Sequence, residues 1–444
     1  MKKIILFSIL SCYITSAKTQ VINIVSLGAV GDGKFSNTKM IQYALDSCNL
    51  SGGGKVYIPA GIFLCGEINV KANTTLYLDN GAVLLASDKM NDYPGGHFIT
   101  ADKADNFSIE GKGKIDGQGH KFYDAHFAPL QRPVPWIMIK NSRHISIKDV
   151  QLMNSPSHVL VLELCDDITI DGITIINPKQ SPNTDGIDIT LSKNVRISNC
   201  YIDTGDDAIC LKASYGKSGD GMPVIENIVV TNCVLSSDDA ALKLGTGSFT
   251  AIRYCSFSNC IIRNTRYGIA LFMQEGGVFE NIEFNNIQIQ TGSIHGDDYP
   301  VMIDIHRKNE KFIPGSINNI HFTNIDIVTD GKILVSGHPQ QPVSNIFFKQ
   351  ITMKVKSPVD VRRWQKPKGN KTVKMWDDCA DYASDNSCFT IAHASNIFID
   401  GLLLQYDVNA VQNRDGISII KSLKTEIKNF TAEGIKGKTI RRID

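Results

Sequence analysis

Three short stretches place carboxylates at comparable points in the chain: Asn183-Thr184-Asp185-Gly186-Ile187-Asp188, Gly205-Asp206-Asp207 and Ser237-Asp238-Asp239. An aspartate pair at a bend is ordinary turn chemistry or a calcium ligand set, and for Asp238-Asp239 alone that reading stands level with any other. Three such stretches, two of them followed directly by a short apolar strand, mean more if the strands stack, because the carboxyls then meet. Crowded carboxylates repel, and at least one is pushed to a higher pKa. One protonated and one ionised carboxyl are the equipment for cleaving a glycosidic bond. In the strands that follow, Ile209, Leu211, Leu242 and Leu244 alternate inward, so Lys212 and Lys243 project outward on the face of the acids.

A repeat supplies the stacking. A polar residue, an apolar one, any residue, an apolar one, any residue, a small polar or Gly residue and an apolar one or Cys recur from His144-Ile-Ser-Ile-Lys-Asp-Val150 to Asn396-Ile-Phe-Ile-Asp-Gly-Leu402. Between them lie units starting at Asp167, Asn194, Asn227, Tyr254, Asn281, Asn319 and Asn345, with starts 23 to 51 residues apart. One unit cannot bury its own apolar side; stacked units can. The pattern predicts an all-β, right-handed parallel β-helix solenoid, with Asn199, Asn232, Asn259, Asn286 and Asn324 at left-handed bends and their amides bonded in a column. Cys200, Cys233 and Cys260 fall where other coils carry Val, Ile or Leu, which makes them buried small hydrophobes.

Around this body, residues 37–50 read as a helix with Met40, Ile41, Ala44, Leu45 and Cys48 on one face, a cap for the open end. Residues 55–59, 74–78 and 82–85 read as short strands. The surplus spacing marks loops at 214–223, 292–300, 308–316 and 357–387, the last carrying Trp364 and Trp376. Cys379 and Cys388, in a polar stretch, are the best disulfide candidates. Lys2 and Lys3, an apolar run over 4–10 and Thr15-Ser16-Ala17 have the form of a signal peptide over residues 1–17. Lipoprotein processing at Cys12 is the alternative. Either places the protein outside the cytoplasm, in the periplasm or extracellular space, as one catalytic β-helix domain over residues 21–444. The apolar run is too short to span a bilayer. With 46 basic and 45 acidic residues and no charge run, nothing points to nucleic acid.

The chain resembles glycoside hydrolase family 28, the polygalacturonase and rhamnogalacturonase family. Gly28-Ala-Val-Gly-Asp-Gly33, Gly52-Gly-Gly-Lys-Val-Tyr-Ile-Pro-Ala-Gly61 and Ile115-Asp-Gly-Gln-Gly119 resemble the opening that such enzymes share with other β-helix polysaccharide enzymes, while Asn183-Thr-Asp185 followed by Gly205-Asp-Asp207 is more specific. The resemblance implies hydrolysis with inversion of an acidic plant polysaccharide of the pectin type and no cofactor or metal. By motif, Asp206 is the general acid, and Asp185 and Asp207 activate the water. In an inverting enzyme acid and base stand roughly 6.5–9.5 Å apart.

Two departures bear on the substrate. Asp238-Asp239-Ala240 stands where the family has Gly-His-Gly, and Ala270-Leu271-Phe272 where it has Arg-Ile-Lys. The alternation makes Ala270 and Phe272 groove-facing. Lys212, Lys243, Arg266 and His306 are the replacements on offer for the lost cations, although a lone His is as often structural. His306 follows Asp304 on the strand over 301–306. Asn183, Asp188, Asp238, Asp239, Asp304 and His158 complete the expected substrate contacts. The rivals are a lyase or epimerase on the same fold, with a Ca²⁺ site and an Arg or Lys base, and a non-catalytic glycan-binding solenoid.

Overall fold

The computed structural model describes residues 20–213, 221, 223–293, 298–356, 382–407 and 414–444. The expected signal peptide with Cys12, most of the loop over 214–223, and Trp364, Trp376 and Cys379 lie outside the described residues.

The strands form a parallel β-helix. They belong to two long sheets, one of 22 and one of 13 strands, and within both the strands pair in parallel from coil to coil. The repeat shows why. Position one of every unit, from His144 (φ 57°) through Tyr254 (φ 53°) to Asn396 (φ 54°), is left-handed, and so is position six, from Asp149 (φ 64°) through Asn199 (φ 57°) to Gly401 (φ 79°). Asn tolerates that conformation better than other side-chain-bearing residues, which explains its dominance in both columns. The amides also bond along the columns: Asn286 Nδ2 donates to Asn259 Oδ1 at 2.7 Å, and Asn227 Nδ2 to Asn194 Oδ1 at 2.9 Å. Only the position-six column was read as left-handed from the sequence.

Between the bends the alternating residues turn inward. Phe257, Phe284, Phe322 and Phe348 stack through the interior with centroids 4.8–5.1 Å apart. Cys200, Cys233 and Cys260 are buried free thiols in the seventh column. Cys388 is also a buried free thiol, beside the Tyr406 hydroxyl, so the disulfide expectation for it fails: its side chain is part of the core, not of a polar loop.

A helix, α1 (Thr38–Leu50), closes one end and buries Ile41, Ala44, Leu45 and Cys48. The expected early strands occupy Gly54–Ile58, Thr74–Leu78 and Ala82–Ala86. At the other end the strand Leu423–Glu433 is half exposed along its length. No helix among the described residues is long and apolar enough to cross a membrane.

Candidate active site

The acids sit where the chain enters the 13-stranded sheet. Its relevant strands are β1 (Ile187–Thr190), β2 (Ile209–Ala213), β3 (Ala240–Ser248), β4 (Tyr267–Met273), β5 (Tyr299–Ile305) and β6 (Ile333–Ser336). Asp185 precedes β1, Asp206 and Asp207 precede β2, and Asp239 precedes β3. Glycine lets the bends close on one another: a Cβ on Gly205 would fall 2.4 Å from Ser181 O, and one on Gly186 2.5 Å from Ala208 O. The bend at Asp206 is then pinned, its carbonyl accepting from Thr204 Oγ1 at 2.6 Å and Ser237 Oγ at 2.8 Å.

This brings one oxygen each of Asp185, Asp206 and Asp207 within 4.8 Å of one another. The spacing is tighter than the roughly 6.5–9.5 Å expected from inverting enzymes in general. The scaffold is the reason. Two of the acids are chain neighbours, and the third lies on the adjoining coil, about 4.8 Å away.

The three acids differ in their partners. Asp185 and Asp188 share the Lys212 ammonium, 2.8 Å from each. His158 Nδ1 lies 2.9 Å from Asp188 Oδ2 and 3.4 Å from Asp185 Oδ1. Burial opposes ionisation of Asp188, but Lys212 and His158 outweigh it and hold the carboxyl below the usual range. Burial likewise opposes charge on His158, and the Asp188 hydrogen bond with the two carboxylates outweighs it. Asp207 pairs with Lys243 at 2.8 Å. Burial pushes Asp207 well up, Lys243 pulls it down, and the neighbouring aspartates add to the rise. Asp206 has no ion pair among the described residues. Its oxygens accept from Asp207 N at 2.9 Å and Asn183 N at 3.2 Å. Burial first, then the charges of Asp185 and Asp239, raise it to about 6. Asp185 Oδ1 and Asp207 Oδ1 are buried and accept no hydrogen bond from the protein.

The other expected contacts divide. Asp239 joins the cluster, 3.6 Å from Lys243 and 3.3 Å from Arg266, so both candidate replacement cations face aspartates. Asp238 is 3% exposed, and those two ion pairs belong to its neighbour. Asp188 is 2% exposed and lies beneath the acids. Asp304 and His306 pair with each other near the end of β5. Ala270 does not line the groove. It is fully covered, because Tyr267, Tyr299 and Leu334 pack around it in a second apolar cluster outside the main core. Phe272, on the same strand, is partly exposed. Sequence reasoning missed Arg132, which reaches from a distant loop to Asn183 Oδ1 at 3.1 Å and to Pro156 O and Pro182 O at 2.7 and 3.1 Å. A separate cavity of about 490 Å³ lies at the far ends of the strands, lined by Asn141, Arg143 and Lys193 among others, and none of the acids lines it.

Carboxylates at this spacing are also a conceivable cation site, as are His158, Asp185 and Asp188. Lys212 and Lys243 already place ammonium groups against those oxygens. What the arrangement offers is acid–base chemistry: one partly exposed carboxyl, Asp206, beside two buried acids. A β-helix with this trio on its outer face belongs to the class of solenoids equipped to work on a polymer laid along the coils.

Comparison with known proteins narrows the class. The profile of "Glycosyl hydrolases family 28" matches residues 48–365. The chain belongs to that family. It is 31% identical over 313 residues to a "Probable polygalacturonase" of Vitis vinifera, the match covering 64% of this chain and 63% of the relative. An "Exopolygalacturonase" of Zea mays is 27% identical over 350 residues, covering 74% and 76%. Among solved structures, the family 28 exopolygalacturonase of Yersinia enterocolitica superposes with a TM-score of 0.70 at 18% identity, over 93% of this chain and 78% of that one.

Proposed function

We propose that this protein is an exported glycoside hydrolase that cleaves pectic polysaccharide of the galacturonan or rhamnogalacturonan type. The observation that carries the reading is the split among the acids: Asp206, without an ion pair among the described residues and raised to about 6, has an oxygen within 4.8 Å of one each from Asp185 and Asp207. Family membership and the polygalacturonase relatives support the substrate class.

The chemistry follows from those positions. The Asp206 carboxyl gives its proton to the glycosidic oxygen as the bond to the anomeric carbon breaks. A water held between the Asp185 and Asp207 carboxyls attacks the anomeric carbon and leaves its proton on the base. A water bonded at about 2.7–2.8 Å to each of two oxygens spans this spacing. The water therefore sits between base and sugar, and the product anomer is inverted. Burial holds Asp207 well above the usual carboxylate range, and Lys243 at 2.8 Å offsets part of that rise toward the ionised form that the base role needs.

The tight spacing favours a second reading, a retaining double displacement, for which carboxyl groups roughly 5–5.5 Å apart are usual. Proton NMR of the first-formed product decides: inversion is expected, and a retained anomer would overturn the water-attack mechanism. The hydrolase reading is tested by reducing-end release from defined pectic oligosaccharides. An unsaturated, ultraviolet-absorbing product would instead mark a lyase, and no product with tight binding would mark a glycan-binding solenoid. Export is checked by sequencing the N-terminus of the protein recovered outside the cytoplasm.

A further inference from the structure

The cavity of about 490 Å³ at the far ends of the strands plays no part in the proposed cleavage, yet the backbone is strained to build its floor. Where the chain leaves the 13-stranded sheet, Asn141, Leu164 and Leu191 hold one position on three successive coils. All three are left-handed, at φ 51°, 55° and 47°. Elsewhere in this column the left-handed side chains are Lys103, His393 and Lys421, all polar. A bulky apolar side chain in that region strains the backbone, and such strain persists where a site requires it. Burial in the main core does not offset it: Leu164 is 38% exposed, and neither leucine packs in that core. Both leucines line the cavity instead.

The rim of the cavity is charged, and its charges are unevenly matched. Arg143, Asp166, Lys193 and Glu226 follow one another in register along four coils. Glu226 is engaged by Arg253 of the next coil at 2.9 Å, and Asp166 accepts from Asn194 Nδ2 at 2.6 Å. Lys193 stands 3.9 Å from Asp166, a loose pair. Among the described residues the Arg143 guanidinium has no ion pair. A free guanidinium and a loosely held ammonium above two leucines suit a ring that has both an apolar C–H face and a carboxylate. A bare inorganic anion would use the cations and leave the leucines uncovered. The site stands apart from the acids: Asp185 and Leu191 flank β1, six residues apart, or about 20 Å of extended chain.

We propose that this cavity is a second, non-catalytic glycan site, which holds one uronate unit of an acidic polysaccharide with its ring on Leu164 and Leu191 and its carboxylate on Arg143 and Lys193. The choice of a uronate rests on the proposed pectic substrate; the cavity and its free cation do not. A chain held there keeps polymer concentrated beside the acids on the same coils.

The test uses the full-length Asp206→Asn protein, so that binding is read by calorimetry without turnover. The probe is trigalacturonide, with its fully methyl-esterified form and inorganic sulfate as further arms. Trigalacturonide should occupy two sites per chain, and only one when Arg143→Ala is added, because affinity at the cavity falls at least roughly tenfold. The ester and sulfate should bind the Arg143-dependent site at least roughly tenfold more weakly than trigalacturonide does. Sulfate binding there as tightly as the uronate would make it a simple anion site and overturn the glycan assignment. A number of sites that Arg143→Ala leaves unchanged overturns the proposal outright. A single site that Arg143→Ala abolishes upholds the cavity and counts against the groove, and so against the hydrolase reading. Leu164→Asn guards against a folding artefact: asparagine already takes this conformation one coil earlier, so the variant should melt no lower than its parent. It should nonetheless lose roughly tenfold in affinity at the cavity, and unchanged affinity in the folded variant would remove the leucines from the site and overturn the proposal.

Discussion

Two pairs of aspartates on neighbouring coils meet opposite fates. Asp185 and Asp188 share a lysine and a histidine, and Asp188 is held ionised below the usual carboxylate range. Asp206 and Asp207, one coil on, have one lysine partner between them among the described residues, and of the two it contacts Asp207. Asp188 lies on β1 in register with Cys210, whereas Asp206 and Asp207 both precede β2, so the pairs differ in placement as well as in counter-charges. One pair is electrostatically closed; the other keeps a proton within reach near neutrality. A site that must both give and take a proton needs this asymmetry.

Removing Asp206 tests the comparison most severely. Asp206→Asn should cut kcat by about 10²–10⁴-fold, the range of a lost general acid, in a reducing-end assay. The same variant should be more stable than wild type at pH 7. The Asp206 pKa rises from an ordinary 3.8 to about 6 on folding, so its favourable contribution is fully present below about 3.8 and lost as pH rises through about 6. The variant's gain should be on the order of 2–3 kcal/mol at pH 7 and vanish near pH 4, measured by denaturant titration. The wild-type activity should fall above pH 6 as the acid ionises.

Next in size is the lysine that separates Asp207 from its neighbour. Lys243→Met leaves a buried acid without its counter-charge and should destabilise the fold by about 3–5 kcal/mol at pH 7. It should also move the acidic limb of the kcat/KM profile to higher pH, because the pull that lowers Asp207 is gone; an unmoved limb would mean that Asp207 is not the base.

The closed pair is probed by His158→Asn. His158 is held above its ordinary pKa, so its stabilising contribution is present below pH 6.5 and lost as pH rises through the folded value. The variant should lose about 1–2 kcal/mol at pH 5 and less above neutrality. Its kcat should fall roughly tenfold with KM nearly unchanged, as a positioning role requires.

The smallest effect lies outside both pairs. Tyr254 holds φ 53° in a column otherwise filled mostly by Asn. Tyr254→Asn should stabilise the protein by about 0.5–1 kcal/mol by relieving that strain, without changing the pH profile.

Much of this was legible in the residues. The alternation in each unit fixed which side chains face inward, and the matched bends fixed the meeting of Asp185, Asp206 and Asp207. What escaped was set by segments far apart in sequence. Arg132 reaches Asn183 across 51 positions, and no local pattern marks such a contact. Alternation correctly turned Ala270 away from the core but could not tell that Tyr267, Tyr299 and Leu334 would cover it. Cys388 likewise lay at a strand whose burial depends on the neighbouring coils.

The two left-handed columns separate what is constant along this chain from what varies. Both are kept in every unit, although the distance from one unit to the next ranges from 23 to 51 residues. Length change is thus confined to the connections between fixed hinge points. The connections can therefore differ in length while the coils that hold the three acids keep their register.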